Sequence, residues 1–334
     1  MKLWFEKGAW ASKKAKQIAA GISPESVRSI AIIRHAAIGD MMVLRPFLVQ
    51  ARAFFPNAKI TLSIVDNYSY GTPSDLVDRI HTINKKIEGK KTSFFARLKQ
   101  IRELGEHDLL FDMTDSALSG MICLLNDAKV KIGFPYRRVK NTLFFDVSLL
   151  RSDLVPEVES LLHMLHIFGA PKQLNIDYGY KIAEKREARI VYFMGASVPS
   201  KQWPKEYFGR LIQKMAVQYP EYEHVLLEGI GINEKVDDVL ANFSDYSNVR
   251  KMEALPLDTM MEYLAHSQAV VCNDTGIRNM AIASNTATVG IFFSTVPYRY
   301  LPQSKIHNAV FEPDGSIPSV ERVLETVQKS MGGF

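Results

Sequence analysis

The chain has 334 residues, 47% hydrophobic and 23% charged, an ordinary globular composition long enough for two domains. No apolar run approaches the ~18 residues a membrane span requires, and the opening MKLWFEKGAW lacks the uncharged core of a secretory signal, so a cytoplasmic protein is expected. The net charge of +5 favours anionic partners without choosing among nucleic acid, anionic lipid and phosphorylated substrate.

Residues 1–28 form a basic, amphipathic extension in which Lys2, Lys7, Lys13, Lys14 and Lys16 interleave with Leu3, Trp4, Phe5 and Trp10. That mixture fits an interfacial helix on an anionic membrane, or equally an extra helix covering the N-terminal domain. From Ser29 the chain alternates strand and helix. Ser29–His35 reads as a buried strand, Asp40–Phe55 as a helix, and Lys59–Val65 as the next strand, after the break at Pro56 and Asn57. A strand, helix and strand joined by short turns make a βαβ unit and hence a parallel sheet. The alternation continues through Asp108–Met113, the helix around Leu118–Leu125, Lys129–Gly133 and the helix Val155–Phe168. A polar stretch, residues 173–187, then links residues 29–172 to a second alternating set, residues 188–318. The second set is predicted to hold helices at Lys205–Gln218, Asn233–Asn242, Thr259–Ser267 and Ile277–Ala283. Residues 319–334 contain a last amphipathic helix, Val320–Gln328. The predicted fold is α/β, two doubly wound Rossmann-like halves. Cys123 and Cys272 both sit in apolar runs, as reduced core thiols do.

Two strand-to-loop transitions carry the ligand chemistry. One runs Gly195-Ala-Ser197-Val-Pro-Ser-Lys201-Gln-Trp203-Pro204 after the apolar Ala188–Met194, and the other is Asn273-Asp274-Thr275-Gly276 after Ala269–Cys272. Ligands of open α/β sheets bind outside the carboxyl ends of strands. Backbone N–H groups and hydroxyls there can donate to a diphosphate, Lys201 supplies positive charge, and Asp274 accepts from sugar hydroxyls. Thr275 and Gly276 open a helix, where the dipole favours phosphate. The turn Arg34-His35-Ala-Ala-Ile-Gly39-Asp40 ends the first strand. On position alone Asp40 reads as the N-cap of the next helix. No Asp-x-Asp, the usual metal–diphosphate motif, occurs anywhere. Basic residues gather at Lys85, Lys86, Lys90, Lys91, Arg97, Lys99 and Arg102 around Phe94 and Phe95, and again at Arg137, Arg138 and Lys140. One such run is usually a solvated face; two in the N-terminal half suit a phosphorylated, acidic acceptor.

These motifs, in this order, resemble glycosyltransferase family 9, the ADP-heptose:lipopolysaccharide heptosyltransferases. The resemblance implies a GT-B fold, two facing Rossmann-like domains with the active site in the cleft between them and the last helix packing back at the domain junction. The small-x-Gly39-Asp40 turn matches the family's first turn, which makes Asp40 the catalytic base and outweighs the cap reading. His35, Gly39, Arg137 and Arg138 are then acceptor-side residues. Lys201 becomes the catalytic cation on the leaving diphosphate. The donor side comprises Gly195, Ser197, Lys201, Asp274, Thr275 and Gly276, with Glu234 on the ribose and Leu255 at the base. At Asn279 the family usually carries a histidine, which leaves the donor sugar open. The implied activity is inverting, metal-independent transfer of heptose from ADP-heptose, a co-substrate and not a bound cofactor, to the Kdo/heptose inner core of lipopolysaccharide. The acceptor is an anionic lipid, so peripheral contact with the cytoplasmic face of the inner membrane follows. Alternatives are a transferase of the same fold using another nucleotide sugar, a non-catalytic nucleotide-sugar-binding relative, or a nucleic-acid binder; only the basic pI favours the last.

Overall fold

A computed structural model describes residues 9–19, 21–87, 89–134, 143–302 and 304–331. The chain divides after Gly179 into two compact units, each built on its own sheet.

The first unit takes its sheet from β1 (Trp10–Ala11), β2 (Ser29–Ile33), β3 (Lys59–Val65), β4 (Arg79–Ile83), β7 (Leu109–Asp112), β8 (Val130–Gly133) and β9 (Val147–Ser148). A separate antiparallel hairpin joins β5 (Lys86–Ile87) to β6 (Lys90–Lys91). The spatial order is β1-β9-β8-β7-β2-β3-β4, parallel except where β1 lies antiparallel to β9. Ile30, Ala31, Ile32 and Ile33 are all fully buried, as the near-continuous apolar run of a parallel strand covered on both faces should be. The helices are α1 (Lys13–Ala19), α2 (Ile38–Phe54), α3 (Phe94–Arg102), α4 (Ala117–Leu125) and α5 (Glu157–His166). Strand order reverses between β2 and β7, so their carboxyl ends border the crevice where such sheets bind ligands.

In the second unit the order is β12-β11-β10-β13-β14-β15, all parallel. The strands are β10 (Glu187–Phe193), β11 (Glu223–Leu227), β12 (Val249–Met252), β13 (Ser267–Asn273), β14 (Ala287–Ile291) and β15 (His307–Val310). Helices α6 (Lys205–Gln218), α7 (Leu257–Ala265), α8 (Gly276–Ala283) and α9 (Val320–Met331) flank them. The reversal here falls between β10 and β13, the two strands that end in the ligand motifs.

Two details depart from the sequence reading. Trp10–Ala11 is an edge strand registered Trp10 to Ser148 and Ala11 to Val147, and Ala15 of α1 is buried, so residues from Trp10 onward belong to the folded unit. Trp4, Phe5 and the first lysines lie outside the described residues. The single helix expected over Asn233–Asn242 is broken into a 3-10 turn at Ile232–Glu234, one α-turn at Asp237–Leu240 and another 3-10 turn at Ala241–Phe243. The break has a cause: the buried Glu228 carboxylate accepts from Val236 N at 3.2 Å and Lys235 Nζ at 2.9 Å, drawing the backbone inward. The last helix, α9, buries Val320, Val323 and Val327 in the second unit's core, against α6 and the strands β13 to β15. Among the described residues no helix is long and apolar enough to cross a membrane.

Candidate functional site

The carboxyl edge of the second unit is assembled from three neighbouring strand ends. After β10 the chain passes Gly195 and the exposed Ser197, turns through Pro199–Lys201, and enters α6 behind the buried Trp203. After β13 come Asp274 and Thr275, the latter being the N-cap of α8, with Gly276 at the first helical position. Lys201 Nζ donates to Asp274 Oδ2 at 2.6 Å, and Thr295 Oγ1, from the loop after β14, donates to the same oxygen at 2.9 Å. The two opposite charges expected to serve diphosphate and sugar therefore meet each other here. The first N–H groups of α8 have no intrahelical acceptor, as at every helix start. Arg278 N donates to Thr275 O at 3.2 Å, and the α8 start, at a strand's carboxyl end, is a place where helix N–H groups can receive an anion.

One buried side chain fixes both loops. Asn273, fully buried, accepts from Trp203 N at 3.0 Å through Oδ1 and donates to Met194 O at 2.8 Å through Nδ2. The indole of Trp203 in turn donates to Pro318 O at 2.8 Å. Asn273 stood in the motif but was not read as a site residue; its signal is an amide at the end of an otherwise apolar strand. Glu234 lies over Gly195 and Gly229. A Cβ at Gly195 would stand 2.9 Å from its Oε1, and one at Gly229 would collide with its Oε2, so both glycines make room for this carboxylate. Glu234 also accepts from Gly231 N at 2.9 Å. Leu255 is half-buried in the loop between β12 and α7, and Asn279 half-buried in α8 beyond Gly276. Gly195, Lys201, Asp274 and Glu234 thus gather on one edge.

In the first unit Asp40 is not a cap. The N-cap of α2 is Ala37, whose side chain offers no acceptor, and Asp40 sits in the first turn with Gly39 before it. Arg34 holds it: NH2 donates to Asp40 Oδ1 at 2.8 Å, and no hydrogen bond from a described residue reaches Oδ2. Arg34 is itself 3% exposed. Its NH1 donates to Met113 O, at the end of β7, and lies 3.4 Å from Glu157 Oε1. Glu157, 1% exposed, also accepts two bonds from Arg151, at 2.6 and 3.2 Å. A buried chain of alternating charges, Arg151, Glu157 and Arg34, ends on a half-exposed carboxylate at the switch point. Arg34, Arg151 and Glu157 were not singled out from the sequence.

His35 takes a different direction. Its N donates to Thr114 Oγ1 at 2.8 Å, and its ring lies 3.5 Å from the Ser63 hydroxyl, which is 2.9 Å from His81 Nδ1. Burial, then the neighbouring His81 and Lys85, push the imidazole down to about 4, so it is neutral at physiological pH. Its ring packs toward β3 and β4, and its backbone ties the β2 turn to the β7 loop. Arg137 and Arg138 lie outside the described residues. No group of three or more His, Cys, Asp or Glu residues with metal-site geometry occurs among the described residues.

Two almost wholly parallel α/β sheets, each with a polar switch-point edge, define the class: a protein of two Rossmann-like α/β units. A sequence profile of glycosyltransferase family 9 (heptosyltransferase) matches residues 97–327, and the chain belongs to that family. Among solved structures, E. coli heptosyltransferase WaaC with ADP-2-deoxy-2-fluoro heptose superposes with a TM-score of 0.70 at 16% identity, covering 90% of this chain and 99% of that one. E. coli ADP-heptose lps heptosyltransferase II gives 0.68 at 20% identity, covering 91% and 98%. The family 9 glycosyltransferase of Veillonella parvula gives 0.71 at 15% identity, covering 94% and 99%. At these identities the likeness is one of fold. No match is found among curated protein sequences.

Proposed function

We propose that the protein is an inverting, metal-independent heptosyltransferase that moves heptose from ADP-heptose to the Kdo/heptose inner core of lipopolysaccharide. The observation that carries this reading is that each unit presents a polar switch-point edge and that the two edges differ in chemistry. One presents a carboxylate oriented through a single oxygen, Asp40. The other presents Lys201, Asp274 and the start of α8 together.

In this reading the diphosphate lies on the α8 N-terminus beside Ser197 and competes with Asp274 for Lys201. Asp274, partly released, accepts from sugar hydroxyls. Glu234, next to Gly195, takes the ribose, Leu255 borders the base, and Asn279 offers an uncharged amide. Asp40 Oδ2 removes the proton from an acceptor hydroxyl as that oxygen attacks the anomeric carbon from the face opposite the leaving diphosphate. The buried Arg34 keeps the carboxylate aimed. Positive charge on the leaving group matters more in the transition state than in the ground state, because charge develops there as the bond breaks. Arg137 and Arg138 fit the anionic acceptor, and the working location is the cytoplasmic face of the inner membrane.

The test is the product. Turnover of ADP-heptose with purified inner core in the presence of a chelator should proceed at the uninhibited rate, and NMR of the product should show an anomeric configuration opposite to the donor's. Retained configuration, or activity lost on chelation and restored by magnesium, contradicts the mechanism.

A further inference from the structure

The Asp274 carboxylate carries two donors on one oxygen. Lys201 Nζ reaches Oδ2 at 2.6 Å and Thr295 Oγ1 at 2.9 Å, while no hydrogen bond from a described residue reaches Oδ1. The side chain of Asp274 is 13% exposed and that of Lys201 24%, so water compensates the loss of a partner only in part.

Thr295 was not singled out from the sequence; it is brought to Asp274 by the loop that follows β14. Two contacts hold that loop. At its start Phe292 N donates to Val310 O at 2.8 Å. Toward its far end Arg278 Nη1 donates to Tyr300 O at 2.6 Å. Arg278 is the third residue of α8 and 1% exposed, with its guanidinium 5.1 Å from the centre of the Phe292 ring. Its side chain passes β14 at Gly290, where a Cβ would collide with Nε. A buried arginine thus ties the loop bearing Thr295 to the helix that begins beside Asp274. Ser294, the neighbour of Thr295, is exposed.

The second donor matters when an anion takes Lys201. With Thr295 in place, the carboxylate keeps a hydrogen bond after the ammonium leaves. Without it, the same departure removes the remaining donor from a largely buried charge, and an unpaired buried charge is costly. We infer that Thr295 is a positioning residue: its hydroxyl holds Asp274 Oδ2 while Lys201 transfers to the diphosphate, which leaves Oδ1 open to the sugar. The inference rests on the reading of Lys201 as the cation of the leaving diphosphate and deepens it. It does not depend on which sugar the donor carries.

The test is calorimetric titration of the full chain with ADP alone, which reads binding without transfer, in a double-mutant cycle of Thr295→Val and Lys201→Ala. Thr295→Val should weaken ADP binding about tenfold, as the loss of one hydrogen bond to a charged group does. In the Lys201→Ala background the same change should have no measurable effect, because no cation then leaves Asp274. Thr295→Ser should restore the parent affinity, and Ser294→Ala should bind ADP as the parent does. An equal loss in both backgrounds, a loss shared by Ser294→Ala, or no rescue by serine would reduce Thr295 to a loop residue and overturn the inference. If Lys201→Ala by itself leaves ADP affinity unchanged, the diphosphate role of Lys201 falls, and the exchange with it. The expected cycle in a protein that transfers no heptose would leave Thr295 standing and remove the proposed reaction.

Discussion

The two switch-point edges solve the same positioning problem by opposite means. In the first unit a lone half-exposed carboxylate, Asp40, is held by a buried ionic chain from Arg151 through Glu157 to Arg34. In the second, two loops are stapled by the neutral amide of Asn273, and the charged pair Lys201–Asp274 sits above it, accessible to a ligand. Buried charge orients one atom strongly, but its members depend on one another. A buried amide fixes backbone and leaves the charges above it free to exchange partners when an anion arrives.

That contrast can be broken most forcefully at Asp40. Asp40→Asn keeps an acceptor for Arg34 but removes the base, and turnover should fall about 10²–10⁴-fold with folding largely retained. Near-normal turnover would reduce Asp40 to an ion-pair partner.

Next in size is Glu157→Gln. It leaves two buried guanidinium groups without their shared carboxylate, and loss of one partner from a buried ion pair costs about 3–5 kcal/mol. Denaturant unfolding should show the loss. A change within a few tenths of a kcal/mol would mean that the chain of charges is not what holds this edge. Lys201→Ala should cost less stability, because the pair is partly exposed. It should weaken donor binding and slow transfer together, by about 10²-fold in rate. Unchanged donor affinity and rate would return Lys201 to a plain ion pair with Asp274.

The smallest effect is on pH. His307, pushed down to about 3 by burial and by the nearby Arg278 and Arg186, and His35, pushed down to about 4, are both neutral in the folded state. Unfolded histidines take up a proton near 6.5. The unfolded chain therefore binds more protons below that pH, and stability is complete above it and lost as pH falls from about 6.5 toward 4. The slope is at most about 1.4 kcal/mol per pH unit for each ring. His307→Gln should flatten the thermal-melting profile over that window; an unchanged slope would show that His307 is not a buried neutral ring.

The second edge was far more legible in sequence than the first. Gly195 to Pro204 and Asn273 to Gly276 are each contiguous, and each follows an apolar run, so a strand end with ligand groups can be read locally. Asp40 is found through its turn, but position alone suggests a cap, whereas the helix begins at Ile38, ahead of it. Glu157 lies 123 residues from Arg34, and nothing in local spacing joins them. The same limit explains the broken helix after Asn233, where tertiary bonds from Glu228 override a plausible helical pattern. It also explains Trp10, whose strand exists only because β9 lies beside it.

The central claim, heptose transfer from ADP-heptose, is tested most directly by a donor panel. ADP-heptose and other nucleotide sugars are each supplied with purified inner-core acceptor, and acceptor-dependent release of the nucleoside diphosphate is measured. The account predicts acceptor-dependent ADP release from ADP-heptose well above that from any other donor. Release no faster than without acceptor, or clear preference for a different nucleotide sugar, would contradict it.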